Sequence, residues 1–147
     1  MSYLLDTNIL LRTLVTNDPN YQITQEAIAS LRKSREKLYI APQNLIELWN
    51  VATRPADKNG LGLSPFETEK EVAHLKEFFI LLPDTEQIYT EWERLVKTYE
   101  VKGTKVHDTR LVAFMLIHRL SHILTFNVKD FRRFDAEITP VSPKEII

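Results

Sequence analysis

The sequence predicts an α/β domain built on a parallel sheet, and three observations lead there. Four short apolar runs, Tyr3-Leu4-Leu5, Leu38-Tyr39-Ile40, Phe79-Ile80-Leu81-Leu82 and Ile123-Leu124-Thr125, suit buried strands. Longer segments with helical apolar spacing separate them. The chain has 147 residues, 44% of them hydrophobic and none of them cysteine, enough for one core without disulfides or a structural metal. A central parallel sheet of about four to five strands, flanked by helices in three layers, is expected as a single domain over residues 1–147.

The elements follow in order. After the first strand, residues 6 to about 15 and 24 to about 35 are expected to be helical. Ala27, Ile28 and Leu31, with Ile23 just before them, give the second helix a stripe that can cover a sheet. Pro42 favours a helix start, and Leu45, Leu48, Trp49 and Ala52 face the core until Pro55 ends the helix. The stretch from Pro55 to Pro65 holds two of the three glycines and reads as the one clear loop. Ser64-Pro65 starts the next helix, with Val72, Leu75 and Phe79 on one side. Pro83-Asp84-Thr85 opens another, carrying Ile88, Trp92, Leu95, Val96 and Tyr99. The last long helix is expected from about Asp108, with Leu111, Val112, Met115 and Leu116 inward. In such a fold the ligand crevice lies at the carboxyl ends of the strands.

Composition removes several function classes. No glycine belongs to a nucleotide-binding fingerprint, and without cysteine there is no thiol nucleophile, zinc-thiolate site or iron–sulfur cluster. No histidine pair forms the H-E-x-x-H motif of a zinc site. The longest apolar run, Leu111 to Ile117, spans seven residues, against the ~18 or more that a membrane span needs. Asp6 interrupts the opening apolar stretch and no basic run precedes it, so neither a secretory leader nor membrane association is expected, and the cytoplasm is the expected location. With 19 Lys and Arg against 20 Asp and Glu, the chain is not a bulk polycation for nucleic acid.

Four acids stand where the crevice should be. Asp6 directly follows the first strand, Glu47 sits within Asn44-Leu45-Ile46-Glu47-Leu48-Trp49-Asn50, Asp108 heads a helix, and Asp130 lies just beyond the fourth strand. Each has a competing explanation: helix capping for Asp6 and Asp108, a solvated helix face for Glu47. Arg54 shares a helix face with Glu47 and could balance its charge or meet a phosphate. Converging carboxylates repel, and a divalent cation relieves the repulsion. Oxygen donors without Cys or His geometry suit Mg²⁺ or Mn²⁺, ions that activate water for phosphodiester hydrolysis.

The segments Leu5-Asp6-Thr7-Asn8, Asn44 to Asn50, Val106-His107-Asp108-Thr109-Arg110-Leu111-Val112-Ala113 and Thr125-Phe126-Asn127-Val128-Lys129-Asp130-Phe131 resemble the PIN-domain family. Their order, spacing and the chain length are similar to its VapC-type ribonuclease toxins, which are encoded beside an antitoxin. The resemblance implies a Mg²⁺- or Mn²⁺-dependent endoribonuclease with Asp6, Glu47, Asp108 and Asp130 as catalytic, metal-binding acids. It implies supporting roles for Thr7, Asn8, Thr125 and Asn127 around them. Many family members carry an acid where this chain has Asn127, so metal binding at that end rests on Asp130 alone. A homodimer and an antitoxin segment laid in a hydrophobic groove between helices are further implications.

From Lys102 to Arg133 seven basic residues face only Asp108 and Asp130. Arg110 and Lys129 from this segment, together with Arg54, are the expected contacts to an RNA backbone; a solvated basic face is the competing explanation of the excess. Phe126, Phe131 and Phe134 read as core more readily than as base-stacking platforms. Two alternatives compete with a toxin nuclease. An RNA-processing PIN nuclease would act without an antitoxin, and an inactive PIN-like scaffold would only bind RNA or a partner. A phosphohydrolase of the haloacid-dehalogenase type wants an Asp at position 8, where this chain has Asn8, and a receiver domain wants paired early acids that are not evident.

Overall fold

The computed structural model describes residues 1–147. Five parallel strands form one sheet: β1 (Ser2–Leu5), β2 (Lys37–Ile40), β3 (Ile80–Leu81), β4 (His122–Leu124) and β5 (Thr139–Val141), in the order β3-β2-β1-β4-β5. The helices are α1 (Thr7–Thr13), α2 (Tyr21–Lys33), α3 (Pro42–Thr53), α4 (Pro65–Phe78), α5 (Glu86–Thr98), α6 (Lys105–Ile117) and α7 (Pro143–Ile146). The chain builds outward from β1 through β2 to β3, then returns to lay β4 against the other side of β1. Strand order therefore reverses between β1 and β4. That switch point is where an open parallel sheet presents a crevice.

Alternation along the strands divides the interior into two cores. Tyr3 and Leu5 of β1 pack with Ile9, Leu10, Ile28, Leu31, Leu48 and Leu75, from α1 to α4. Leu4 faces the other way and joins Ile123 with Ile88, Leu95 and the Leu111–Met115 run of α5 and α6. A strand with two buried faces must be apolar at every position, which is why β1 reads as an unbroken run. The result is three layers, helix, sheet and helix. No helix is long and apolar enough to cross a membrane.

The structure moves several expected boundaries. The second helix begins at Tyr21 rather than Thr24, and α6 at Lys105 rather than Asp108. The third strand shrinks to Ile80–Leu81, both exposed on the sheet edge, while Phe79 turns into the core and the Leu82 N–H still reaches Ile40 O at 3.1 Å. β5 carries Pro140, a residue confined to edge strands because it cannot donate to a ladder. Its three residues were too short and too proline-marked to be read as strand.

The Pro55–Pro65 loop folds back on α3: Gly62 N–H donates to Arg54 O at 2.8 Å, and Leu63 N–H to Ala52 O at 2.9 Å. At Gly60 a Cβ would stand 2.1 Å from the Arg54 carbonyl oxygen, so no side chain fits there without moving backbone. Gly60→Ala is expected to cost about 2 kcal/mol through overpacking. Thermal unfolding should register this as a fall of about 6 °C.

Candidate functional site

The crevice at the β1–β4 switch is lined by residues just past the ends of both strands. Asp6 N–H continues the ladder by donating to Leu124 O at 3.0 Å. The Asp6 side chain then does two things at once. Oδ1 accepts the Thr7 N–H at 2.8 Å, capping α1, while Oδ2 accepts the Thr125 hydroxyl at 2.7 Å and the Asn8 amide at 3.3 Å. Capping and crevice placement, which compete in the sequence, are thus compatible. Thr125 is fully buried; it also accepts the Asn127 N–H at 2.9 Å, and Asn8 Oδ1 accepts the Phe126 N–H at 3.2 Å. Asn127 enters this network through its backbone.

Glu47 comes to the crevice on α3. Thr7 donates its hydroxyl to Oε1 at 2.7 Å, and Gln43, one turn earlier, donates to Oε2 at 3.2 Å. Buried Asn44 supports Thr7 by donating to its hydroxyl at 3.2 Å while accepting the Ala41 N–H at 2.8 Å. Gln43 also donates to the His107 carbonyl at 2.8 Å and accepts from Arg110 at 3.2 Å, tying α3 to α6. Asp108 lies in the first turn of α6 but caps nothing. Its nearest cation is Lys105 Nζ, 4.0 Å from Oδ2. The same ammonium donates to Asp130 Oδ1 at 2.5 Å.

Electrostatics bind the acids into one group. Burial pushes the Asp6 carboxyl up to about 6; hydrogen bonds from Thr125 and Thr7 pull it back, and the charges of Asp108 and Glu47 add to the rise. Burial likewise raises Asp108 to about 6, reinforced by Asp130 and Glu47 and opposed by Lys105 and His107. Two acids on different elements are thus held above the ordinary carboxylate range, chiefly by burial and partly by neighbouring acids, Glu47 acting on both. The donors are hard oxygens suited to a Mg²⁺- or Mn²⁺-sized ion. The acids are not preassembled around a cation: no three of them converge closely enough to grip one.

The expected RNA contacts fare differently. Arg110 stands at the rim, 3.3 Å from Asp84 and bonded to Gln43. Lys129 is exposed beside Asp130, on a hollow that also includes Asn127 and Arg132. The structure does not bring Arg54 to the acids. It ends α3 two turns beyond Glu47, where its carbonyl anchors the loop and its buried Nε has no hydrogen-bond partner. Nor is the basic segment one patch, because Lys105 pairs with Asp130 and Arg119 lies beyond the far end of α6, just before β4 begins. Phe131 and Phe134 are buried in the core, and the half-buried Phe126 ring lies 5.9 Å from the Arg12 guanidinium.

Sequence reasoning missed Gln43 and the true place of Lys105. Spacing carried a signal for both: Gln43 is four residues before Glu47, and Lys105 is three before Asp108. A second concavity, of about 380 Å³, lies away from the acids between α1, α2 and α4. Leu14, Ile28, Ala29, Leu75 and Phe78 line it, with Arg32 and Glu71.

A family model described as PIN domain matches residues 3–137. Among solved structures, the chain is similar to one in VapBC-1 from nontypeable Haemophilus influenzae, at 22% identity and a TM-score of 0.69, covering 98% of this chain and 99% of that one. A chain of a toxin-antitoxin complex from Klebsiella pneumoniae matches at 22% identity and 0.64, covering 96% and 97%. VapC20 of Mycobacterium tuberculosis, described as a Sarcin-Ricin loop cleaving toxin, matches at 16% identity and 0.65, covering 88% and 93%. These likenesses show a shared fold over nearly the whole chain. No curated protein matches it.

Proposed function

This chain belongs to the PIN-domain family, and from that premise we propose that it is a metal-dependent endoribonuclease, a single catalytic domain over residues 1–147 that serves as the toxin of a toxin–antitoxin pair. The observation that supports this most is that the four acids stand near enough at the β1–β4 crevice for their charges to act on one another, Asp108 and Glu47 on Asp6, and Asp130 and Glu47 on Asp108. Carboxylates gathered at such a cost to their ionisation are poised for a cation. Asp6, Glu47, Asp108 and Asp130 would hold Mg²⁺ or Mn²⁺, which when bound supplies water activation and charge stabilisation at a scissile phosphate.

The chain's own groups do the positioning. Thr125 and Asn8 hold Asp6 Oδ2, Thr7 and Gln43 hold the two Glu47 oxygens, and Asn44 holds Thr7. Arg110, two residues after Asp108, and Lys129, beside Asp130, are the proposed contacts to the RNA backbone. Asn127 offers an amide in place of a further acid, which favours one ion over two.

The partner part of the proposal rests on the groove between α1, α2 and α4. Its apolar lining supports docking of an antitoxin segment, in keeping with the toxin–antitoxin complex among the similar structures. The reading includes a homodimer and a cytoplasmic site of action. Induced expression in a bacterial host is expected to stop growth and fragment RNA. Co-expression of a small protein encoded immediately upstream is expected to restore growth. Normal growth with intact RNA, at matched expression, would overturn the toxin reading.

A further inference from the structure

Lys105 occupies an unusual place. It is the first residue of α6, where the helix dipole disfavours a cation, yet its ammonium is turned into the acidic crevice. It donates to Asp130 Oδ1 at 2.5 Å and lies 4.0 Å from Asp108 Oδ2, so it bridges two acids that belong to different elements. No other basic side chain pairs with any of the four acids. Its side chain is 42% exposed, leaving a free path outward for the ammonium.

We infer that Lys105 is a built-in counter-ion, which holds Asp130 and Asp108 in the ion-free protein and must leave Asp130 when a divalent cation binds. This rests on the proposed metal-dependent reading of the crevice and adds an exchange to it. Two cations cannot share Asp130 Oδ1 without strong repulsion at such short range. Ion binding therefore includes the loss of a short, charge-assisted hydrogen bond, and the resting site keeps part of its negative charge neutralised until a divalent ion outcompetes the lysine. Lys105 acts here as a positioning residue.

Mn²⁺ binding to chelator-stripped protein without RNA, followed by calorimetry, tests this independently of cleavage. Lys105→Met is expected to bind Mn²⁺ about tenfold more tightly than the wild type, as expected when a half-exposed competing charge is removed. Lys105→Arg, which keeps the charge, is expected to stay near the wild-type affinity. Equal or weaker binding by Lys105→Met, while Asp108→Asn weakens it, would overturn the exchange and leave the metal-dependent reading standing. Absence of Mn²⁺ binding by wild type and Lys105→Met alike would overturn both.

Discussion

Asp108→Asn is expected to abolish RNA cleavage while making the ion-free protein more stable at neutral pH. The two effects share one cause. Asp108 accepts no short hydrogen bond, and burial and the charges of Asp130 and Glu47 hold its carboxyl up at about 6. Asn keeps the shape and removes the charge, so the repulsion disappears. The Asp108 side chain is 31% exposed, and solvent screening limits the gain to about 1 kcal/mol, or roughly 3 °C in the unfolding midpoint. Cleavage should fall by at least about a hundredfold, since even groups that merely support a metal ligand cost 10–100-fold when lost. A variant that is both less stable and inactive would instead mark Asp108 as structural. Sites that retain strain for function characteristically show this opposition of stability and activity.

Ion-free protein is expected to lose stability as pH rises from about 4 to above 6, and added Mn²⁺ should restore it. Asp6 is 7% exposed and titrates at about 6 in the folded chain, against an ordinary value of 3.8. Its proton is bound more tightly by the folded state, so in that window the folded state carries more protons than the unfolded one. Stability then falls with rising pH, the reverse of the usual salt-bridged carboxylate, and the loss is complete above the folded value. For Asp6 alone the change is about 3 kcal/mol. His122, held below its ordinary range chiefly by burial, acts in the opposite sense near its own titration. Comparing the same protein with and without Mn²⁺ leaves His122 common to both curves. Unfolding midpoints that stay level or rise through this window in chelator would show that Asp6 ionises freely in the fold.

Much of this site was legible because its acids follow features that sequence displays well. Asp6 stands one residue past an unbroken apolar run and Thr125 closes another short one, and a strand buried on both faces announces its end sharply. Thr7, Asn8 and Asn44 lay within motifs and now have partners at hydrogen-bond distance. Gln43 was invisible because an amide carries no charge and bonds to whatever is near; only the fold brings His107 O and Arg110 to it. Lys105 entered only as one of the seven basic residues between Lys102 and Arg133, since charge patterning cannot say which way a long side chain turns. Arg54 shared a helical face with Glu47 by arithmetic, but two turns of α3 carry it away from the strand ends. β3 and β5 are edge strands of two and three residues, where pairing with one neighbour decides the conformation more than local pattern does.

On the proposed function, the carboxylates at the β1–β4 switch cleave RNA only with a divalent ion. Its most direct test is cleavage of a panel of fluorescently labelled single-stranded and structured RNAs across a Mn²⁺ titration, with Asp108→Asn purified alongside. Wild-type cleavage should rise with Mn²⁺, vanish in excess chelator and be absent from the variant at every concentration. Cleavage that persists in chelator, or equal cleavage by Asp108→Asn, would contradict it.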